Sequence, residues 1–201
     1  MKLVAGLGNP GAKYRGTRHN VGFEIADLLA ARHGVTFESS PADALVARVR
    51  GGAPVLIVKP LSLMNRSGQP IGELARYFRI DLADLLVVVD DVNLPLGQLR
   101  ARVRGSEGGH NGLRSIVQAL GTQEFARLRL GVGRGDPRRD LADHVLARFD
   151  ADEQGPIAEA VERATDAVEL FLAEGIAPVM NRYNRKADVA EEDGEAESRK
   201  P

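Results

Sequence analysis

The sequence predicts a single α/β domain with a mixed, mostly parallel twisted sheet and helices on both of its faces. Three observations predict this class. Short apolar runs typical of strands alternate with segments whose apolar residues recur at helical spacing. The run at 85–89 contains five consecutive apolar residues, which is typical of a central strand covered on both faces. Nothing within residues 1–186 has the composition of a linker, so one domain is expected there.

The first half of the chain alternates strand, helix, hairpin and helix. Residues 2–7 form a short β-type run, which a Gly-Asn-Pro-Gly turn at 8–11 ends. After a polar loop, apolar residues at helical spacing predict a helix from about residue 20 to 34. Two apolar runs around Gly-Gly-Ala-Pro predict a hairpin over 45–58. Apolar positions from 71 to 78 share one face and predict a second amphipathic helix.

The second half contains two strands that alternate arginine with apolar residues. In 98–104 and again in 127–132, apolar side chains point one way and arginines the other, as expected for strands with one buried face. Helical spacing between them predicts a helix over 113–120. A longer helix is predicted over 157–171, and a last short one over 176–186.

The composition is ordinary for a globular protein and excludes several kinds of site. Hydrophobic residues make up 43% and charged residues 27% of the 201 positions. The lack of cysteine excludes disulfides, thiolate zinc sites and cysteine nucleophiles. No apolar run approaches the ~20 residues needed to cross a bilayer, and the first residues do not resemble a secretory signal. We therefore expect a cytoplasmic protein without a membrane partner.

Charge is unevenly distributed along the chain. The tail at 187–201 carries six acidic and two basic residues and is almost devoid of large apolar groups, so it is predicted to be disordered. Residues 98–139, in contrast, contain nine arginines against three acidic residues. This excess suits a polyanionic partner, and it is equally typical of a solvated arginine-rich surface.

The first glycine motif matches a nucleotide-binding fingerprint but lacks its context. Gly6, Gly8 and Gly11 fit G-x-G-x-x-G after a strand. That fingerprint requires a helix opening at the glycines, so that the helix N-terminus meets the pyrophosphate. Here a polar stretch without helical periodicity follows, and the acidic Glu24 and Asp27 lie on a helix rather than at a second strand end. Dinucleotide binding is therefore disfavoured.

His19 and Asp90 are candidates for acid–base chemistry. His19 ends the loop before the first helix, and Asp90 follows the apolar run at 85–89. If the strands are parallel, both residues lie at the carboxyl edge of the sheet, where open α/β folds bind ligands. A carboxylate that holds one imidazole nitrogen leaves the other to accept a proton from water. The competing interpretation, which these two residues alone favour, is that His19 caps the helix and Asp90 merely ends a strand.

Three asparagines, Asn9, Asn65 and Asn111, each lie in a glycine-rich segment. A neutral amide can donate and accept hydrogen bonds and so can bind a peptide group without charge, although asparagine and glycine are also common turn formers. The sequence contains no H-x-x-x-H pair, no G-x-S-x-G and no P-loop motif. We therefore expect no metal site, no serine nucleophile and no cofactor.

Several motifs, occurring in the same order, resemble the bacterial peptidyl-tRNA hydrolase family. They are GLGNPGAKYRGTRHNVGF at 6–23, KPLSLMNRSG at 59–68, DDVNLPLGQLR at 90–100, GSEGGHNGLRSI at 105–116 and RLRLGVGRG at 127–135. The resemblance implies a hydrolase-type catalytic domain over essentially residues 1–186. It implies that this domain cleaves the ester between a peptide and the 3′ end of tRNA, recycling tRNA from prematurely released peptidyl-tRNA. The lack of a spare apolar stripe predicts a monomer.

The resemblance also implies roles for individual residues. His19 would activate water, supported by Asp90, with the adjacent Asp91 as the alternative partner. Asn9 would distinguish an N-blocked aminoacyl group from a free α-amine. Contacts near the acceptor end of the tRNA are implied for Tyr14, Leu63, Asn65 and Asn111, and the family often has an aromatic residue where this chain has Leu63.

Further residues are needed to stabilise the transition state and to bind the tRNA backbone. Asn65 or an N–H group of a glycine loop is the candidate donor to the carbonyl oxygen as its negative charge develops. The arginine faces of the two alternating strands, with the arginines that follow them, are expected to hold phosphates of the acceptor stem. The residues concerned are Arg100, Arg102, Arg129 and Arg134, with Arg104, Arg127, Arg138 and Arg139 in the same stretches.

Overall fold

A seven-stranded mixed sheet forms the centre of the molecule. The computed structural model describes residues 1–136, 138 and 140–184. The strands are β1 (Lys2–Gly6), β2 (Glu38–Ser40), β3 (Ala44–Val49), β4 (Val55–Pro60), β5 (Leu85–Asp91), β6 (Leu99–Arg102) and β7 (Ala126–Gly131). Their order across the sheet is β2-β3-β4-β1-β5-β7-β6. Parallel pairing joins β4, β1, β5 and β7, whereas β2, β3 and β6 pair antiparallel towards the two edges.

Helices cover both faces of this sheet. In the described part of the chain they are α1 (Val21–Arg32), α2 (Gly68–Tyr77), α3 (Asn111–Leu120), α4 (Leu141–Leu146), α5 (Gln154–Glu174) and α6 (Ile176–Tyr183). α1, α5 and α6 pack on one face, and α2 and α3 pack on the other. None of these helices is long and apolar enough to cross a membrane. α4 lies beside the loop before α1.

Each face of the sheet has its own apolar core, and β5 contributes to both. Leu86 and Val88 pack with α1 and α5, whereas Val87 and Val89 pack with α2 and α3, because consecutive side chains of a strand point to opposite faces. All seven β5 residues are buried. Full burial of one such aliphatic side chain stabilises the fold by about 1.5–3 kcal/mol. The apolar run therefore fixes the strand whose end carries Asp90.

The structure confirms the predicted α/β fold and its mixed sheet, with parallel pairing confined to the four central strands. The predicted hairpin is present as β3 and β4. Two elements were not predicted from the sequence. β2 is a three-residue polar edge strand, and α4 is a six-residue helix without a buried residue. β2 is polar, and the helical spacing of apolar residues in α4 extends over only one turn, from Leu141 to Val145, which is too short to predict an element.

The parallel centre of the sheet brings several loops together. β1 and β5 run in the same direction, so the loop after Gly6 and the residues after Val89 share one edge. β7 extends the same edge beyond β5. The candidate residues of the first loop and of the β5 end therefore become neighbours. The predicted domain boundary at residue 186, the predicted disorder of 187–201 and the phosphate contact predicted for Arg139 fall outside the described residues.

Candidate active site

His19 and Asp90 meet at this edge of the sheet. His19 lies in a short 3₁₀ turn, Arg18–Asn20, directly before α1, and Asp90 is almost completely buried near the end of β5. The Nδ1 atom of His19 is 2.8 Å from Oδ1 of Asp90. Asp91 makes different contacts, because its carboxylate accepts hydrogen bonds from Arg129 at 3.0 Å and from the backbone N–H of Asn93 at 2.8 Å. Asp90, and not Asp91, is thus the geometric partner of His19.

A second imidazole shares the same carboxylate oxygen. Nε2 of His110 is 3.0 Å from Oδ1 of Asp90, and the two imidazole rings are 5.1 Å apart. Nδ1 of His110 accepts the backbone N–H groups of Gly112 and Leu113, and so caps the N-terminus of α3. An imidazole nitrogen that accepts carries no proton, so Nε2 of His110 is protonated and donates to Asp90. Sequence reasoning missed this role. The available signal was a histidine in a glycine-rich segment, just before the helix predicted over 113–120.

The tautomer of His19 follows from the same bonds. An ionised carboxylate only accepts hydrogen bonds, so Nδ1 of His19 must donate to Asp90, and in neutral His19 the Nε2 atom is left as a proton acceptor. Burial opposes ionisation of Asp90, but His110 and His19, which both donate hydrogen bonds to its carboxylate, hold the pKa of this carboxyl well below its usual range. Asp90 is therefore ionised at neutral pH.

Asn9 is fixed between two other parts of the site. Its side-chain Oδ1 accepts the backbone N–H of Met64 at 2.8 Å. Its backbone N–H and C=O bond the side-chain amide of Asn20, at 2.8 and 2.9 Å. Because Oδ1 is occupied and no described residue accepts from Nδ2, Asn9 can offer its amide N–H₂ to a ligand.

The turn Met64–Arg66 packs against the start of α3. Gly112 allows this approach, because a Cβ atom added there would lie 2.6 Å from Sδ of Met64 and 2.7 Å from Leu7. Two predicted contact residues lie on these elements and are exposed, Asn65 within the turn and Asn111 as the first residue of α3. Met64 therefore joins the three asparagine segments: its own turn carries Asn65, its N–H bonds Asn9, and its side chain packs against the start of α3 beside Asn111.

The two remaining predicted contact residues lie beside these segments. Leu63 precedes the Met64 turn and is half exposed. Tyr14 lies in the loop between β1 and His19, partly buried, with the ammonium group of Lys13 4.7 Å from its ring centroid. The contacts with the acceptor end that the sequence implies for these two residues stay predictions.

A cavity of about 360 Å³ opens beside the two histidines. It is lined by His19, Asp90 and His110 on one side. Three residues of α4 form another wall, namely Leu141, Ala142 and Val145. This wall was not predicted, because α4 itself was not. The cavity places a proton acceptor at the edge of a space large enough for a small ligand group.

Comparisons with known proteins identify the family. The peptidyl-tRNA hydrolase family profile matches residues 3–192. The chain belongs to this family. A relative from Symbiobacterium thermophilum named peptidyl-tRNA hydrolase is 48% identical over 186 residues, covering 91% of this chain and 98% of the relative. A peptidyl-tRNA hydrolase from Halalkalibacterium halodurans is 43% identical over 185 residues, covering 92% of this chain and 100% of the relative.

Solved structures agree with this assignment. The crystal structure of peptidyl-tRNA hydrolase from Acinetobacter baumannii has a TM-score of 0.86 and 33% identity, covering 92% of this chain and 94% of that chain. The whole described body thus has the fold of a peptidyl-tRNA hydrolase. The glycine motif in β1 has a structural explanation in this fold. A Cβ atom at Gly6 would lie 2.1 Å from the backbone oxygen of Gly22 in α1, so close helix–strand packing requires glycine.

The arginines that were expected to bind phosphate in this peptidyl-tRNA hydrolase family member fall into two groups. Some are exposed, and others are buried and hydrogen-bonded within the protein. Arg100, Arg102 and Arg134 are exposed and remain candidates for phosphate contacts. Arg127 is completely buried, so its expected contact with phosphate is wrong. Arg129 is largely buried, and its guanidinium bonds Asp91 and the carbonyl oxygen of Ser106 at 2.9 Å.

Arg127 has an internal role. Its guanidinium donates to the carbonyl oxygens of Gly105, Ser106, Gln123 and Phe125. Burial, together with the charge of Arg129, lowers the pKa of Arg127 to about 10. β7 is not the edge strand, and the loop before α3 covers its arginine face. The alternation of arginine with apolar residues in a sequence does not show whether the arginine face of the strand is covered by a loop or exposed to solvent.

His19, Asp90 and His110 are also a possible set of metal ligands. Their ligand atoms all lie within 4.8 Å of one another, and two imidazoles with one carboxylate suit several divalent transition metals. Each of these ligand atoms already makes a hydrogen bond within the cluster. We therefore interpret the cluster as an acid–base network.

Proposed function

We propose that this chain hydrolyses the ester between the peptide and the 3′ end of peptidyl-tRNA, with His19 as the general base. The observation that carries the proposal is the hydrogen bond from Nδ1 of His19 to buried Asp90, which leaves Nε2 to accept a proton beside the cavity. Nε2 takes a proton from a water molecule as that water attacks the ester carbonyl. Asp90 stabilises the imidazolium that forms, and His110 holds Asp90 in place.

An ester with a ribose leaving group requires less activation than an amide. Proton transfer to a positioned base contributes about 10²–10⁴-fold. Negative charge that develops on the carbonyl oxygen requires a donor already in place, and such a donor adds about 10²–10³-fold. We assign this role to the side-chain amide of Asn65, which is exposed on the turn that packs against the start of α3.

Asn9 supplies a physical basis for selecting N-blocked substrates. Its Oδ1 is bound to Met64, so Asn9 meets the substrate as a donor, through Nδ2. The acyl carbonyl of an N-blocked aminoacyl group can accept this N–H. A free α-ammonium group has only donors, and it would leave the Asn9 donor without an acceptor in a desolvated site. Asn111, exposed at the start of α3, is positioned to bind the peptide backbone in the same way.

Exposed arginines on β6 are assigned to the tRNA acceptor stem. Arg100 and Arg102 project from the same face of this edge strand, opposite to buried Leu99 and Ala101. Contacts of this kind position the duplex without reading its sequence. Arg134 extends the exposed basic set. Arg129 is omitted, because its guanidinium is already bound by Asp91 and Ser106.

The test compares two substrates that differ only at the α-amine. The protein is incubated with N-acetyl-aminoacyl-tRNA and with the same aminoacyl-tRNA unblocked, and release of deacylated tRNA is followed. We expect rapid release from the first and release at the spontaneous rate from the second. Binding without release from either would support an RNA-binding module without catalysis and would overturn the proposal. The cytoplasmic location and the monomeric state remain predictions, and size-exclusion chromatography tests the second.

A further inference from the structure

Arg18 immediately precedes the catalytic base and is only 4% exposed. Nη1 of its guanidinium donates to the carbonyl oxygen of Arg148, and Nη2 pairs with the carboxylate of Glu153. The guanidinium carbon lies 5.0 Å from the centroid of the Phe149 ring. Arg18 thus makes two charge-assisted hydrogen bonds, to two different residues of a segment far along the chain. The mechanism proposed above does not use this side chain.

The backbone around Arg18 is attached to the same segment. The N–H of Arg18 donates to the carbonyl oxygen of Ala147 at 3.0 Å. Thr17 and Arg148 form an isolated antiparallel β-bridge. Residues 147–153, which we term the post-α4 segment, are therefore fastened to the His19 loop by backbone and side chain together.

The post-α4 segment continues directly from the cavity wall. α4 has no buried residue of its own, so it contributes little apolar burial to its own placement. One further attachment is the imidazole of His144, whose Nε2 lies 2.9 Å from the carbonyl oxygen of Gly133. The wall residues Leu141 and Val145 therefore depend on the post-α4 segment for their position relative to His19.

We propose that Arg18 is a positioning residue that holds the His19 loop and the α4 wall in one fixed arrangement. The inference rests on His19 acting as the base. Loss of the guanidinium releases the post-α4 segment and allows the His19 turn to shift, which weakens the alignment of its imidazole with Asp90. A displacement of about 1 Å at a reacting group can cost about 10²-fold in rate.

The effect is expected in kcat rather than in KM. Binding of a tRNA substrate depends mainly on phosphate contacts, and the arginines assigned to those contacts lie on β6 or, in the case of Arg134, after β7, and not on the Arg18 loop. We expect Arg18→Met to lower kcat by about 30-fold, within the range of such misplacements, while KM stays within about threefold. Arg18→Lys retains the charge but not the two guanidinium hydrogen bonds, and we expect its kcat to lie between those of Arg18→Met and the wild type.

The experiment measures kcat and KM for cleavage of N-acetyl-aminoacyl-tRNA, and hydrogen exchange of residues 141–153. Arg18→Met is expected to increase exchange in that segment. Adding Arg18→Met to Asp90→Ala is expected to cost less than about threefold, because the His19 alignment is already lost, whereas two independent effects would multiply. Asp150→Asn is the matched control, since its highly exposed carboxylate lies 3.9 Å from Arg18 and should contribute little.

Two results would overturn the inference. One is a folded Arg18→Met protein with wild-type kcat, and the other is full multiplication of its effect with that of Asp90→Ala. If Arg18→Met does not fold, Glu153→Ala removes the carboxylate that Arg18 bonds, and unchanged exchange together with unchanged kcat would refute the inference. Inactivity of the wild-type chain would instead refute the proposed function, and the exchange measurement would still report whether Arg18 holds the wall.

Discussion

Asp90→Asn isolates the charge of the carboxylate from its hydrogen bonds. His19 and His110 both donate to Oδ1 of Asp90, and among the described residues no group donates to Oδ2. An asparagine can keep Oδ1 as the acceptor of both imidazoles and place its N–H₂ where Oδ2 was. The substitution therefore preserves the geometry of the network and removes its negative charge.

The expected cost follows from the charge that forms on His19. A pair of unit charges at ~4 Å with an effective dielectric constant of ~20 is worth about 4 kcal/mol. A hydrogen bond to a charged acceptor is about twice as strong as one to a neutral acceptor, so the loss is at least about 1 kcal/mol when the neutral bond remains. The corresponding loss in kcat is about 5-fold to 1,000-fold.

The assay is single-turnover cleavage of N-acetyl-aminoacyl-tRNA at saturating enzyme, with circular dichroism to verify the fold. Asp91→Asn is the matched control, because Asp91 is the next residue of β5 and bonds Arg129 rather than His19. We expect this control to retain at least a tenth of the wild-type rate. An Asp90→Asn rate within threefold of wild type, or a more damaging Asp91→Asn, would refute the assignment of Asp90.

Four further predictions address other parts of the site and the fold. His19→Ala should lower kcat by about 10²–10⁴-fold with little change in KM, and undiminished cleavage would remove His19 as the base. Asn9→Asp keeps an acceptor for the Met64 N–H but replaces the donor Nδ2, so the ratio of rates on N-acetyl and unblocked substrates should fall at least about tenfold; an unchanged ratio would contradict the donor role. Arg102→Gln should reduce the slope of log binding constant against log salt by about 0.9, whereas the control Arg104→Gln, whose guanidinium is already 3.6 Å from Glu124, should have a smaller effect. Burial and, as the smaller cause, the charge of a neighbouring aspartate raise the pKa of Glu24 above 4.5. Ionised Glu24 therefore opposes folding at neutral pH, and this penalty vanishes as the pH falls below 4.5. We expect Glu24→Gln to have a higher Tm than wild type at pH 7 and the same Tm at strongly acidic pH.

Elements with a local apolar pattern could be predicted from the sequence. The β5 strand was predictable because five consecutive apolar residues are typical of a strand that is buried on both faces of a sheet. The meeting of His19 with Asp90 followed from parallel strands, since their carboxyl ends share an edge. The choice between Asp90 and Asp91 needed the structure, because two adjacent strand residues point to opposite faces and either face could have carried the loop of His19.

Features held by distant contacts could not be predicted. α4 has only six residues and none of them is buried, and its position depends on Arg18, which is remote in sequence. The arginines of β7 alternate as an exposed face would, yet the loop before α3 covers Arg127. The role of His110 depends on two simultaneous contacts, one to Asp90 and one to the helix backbone. No periodicity in the sequence encodes such contacts.

The two contacts of the His110 imidazole make changes in the active site observable by NMR. Its Nδ1 accepts the amide protons of Gly112 and Leu113 while its Nε2 donates to Asp90. A proton added to Nδ1, or a ligand that pulls Asp90 aside, must therefore disturb those two amides. In ¹⁵N-labelled protein, their ¹H–¹⁵N resonances would report changes at the carboxylate without a reporter group or substrate analogue inside the cavity.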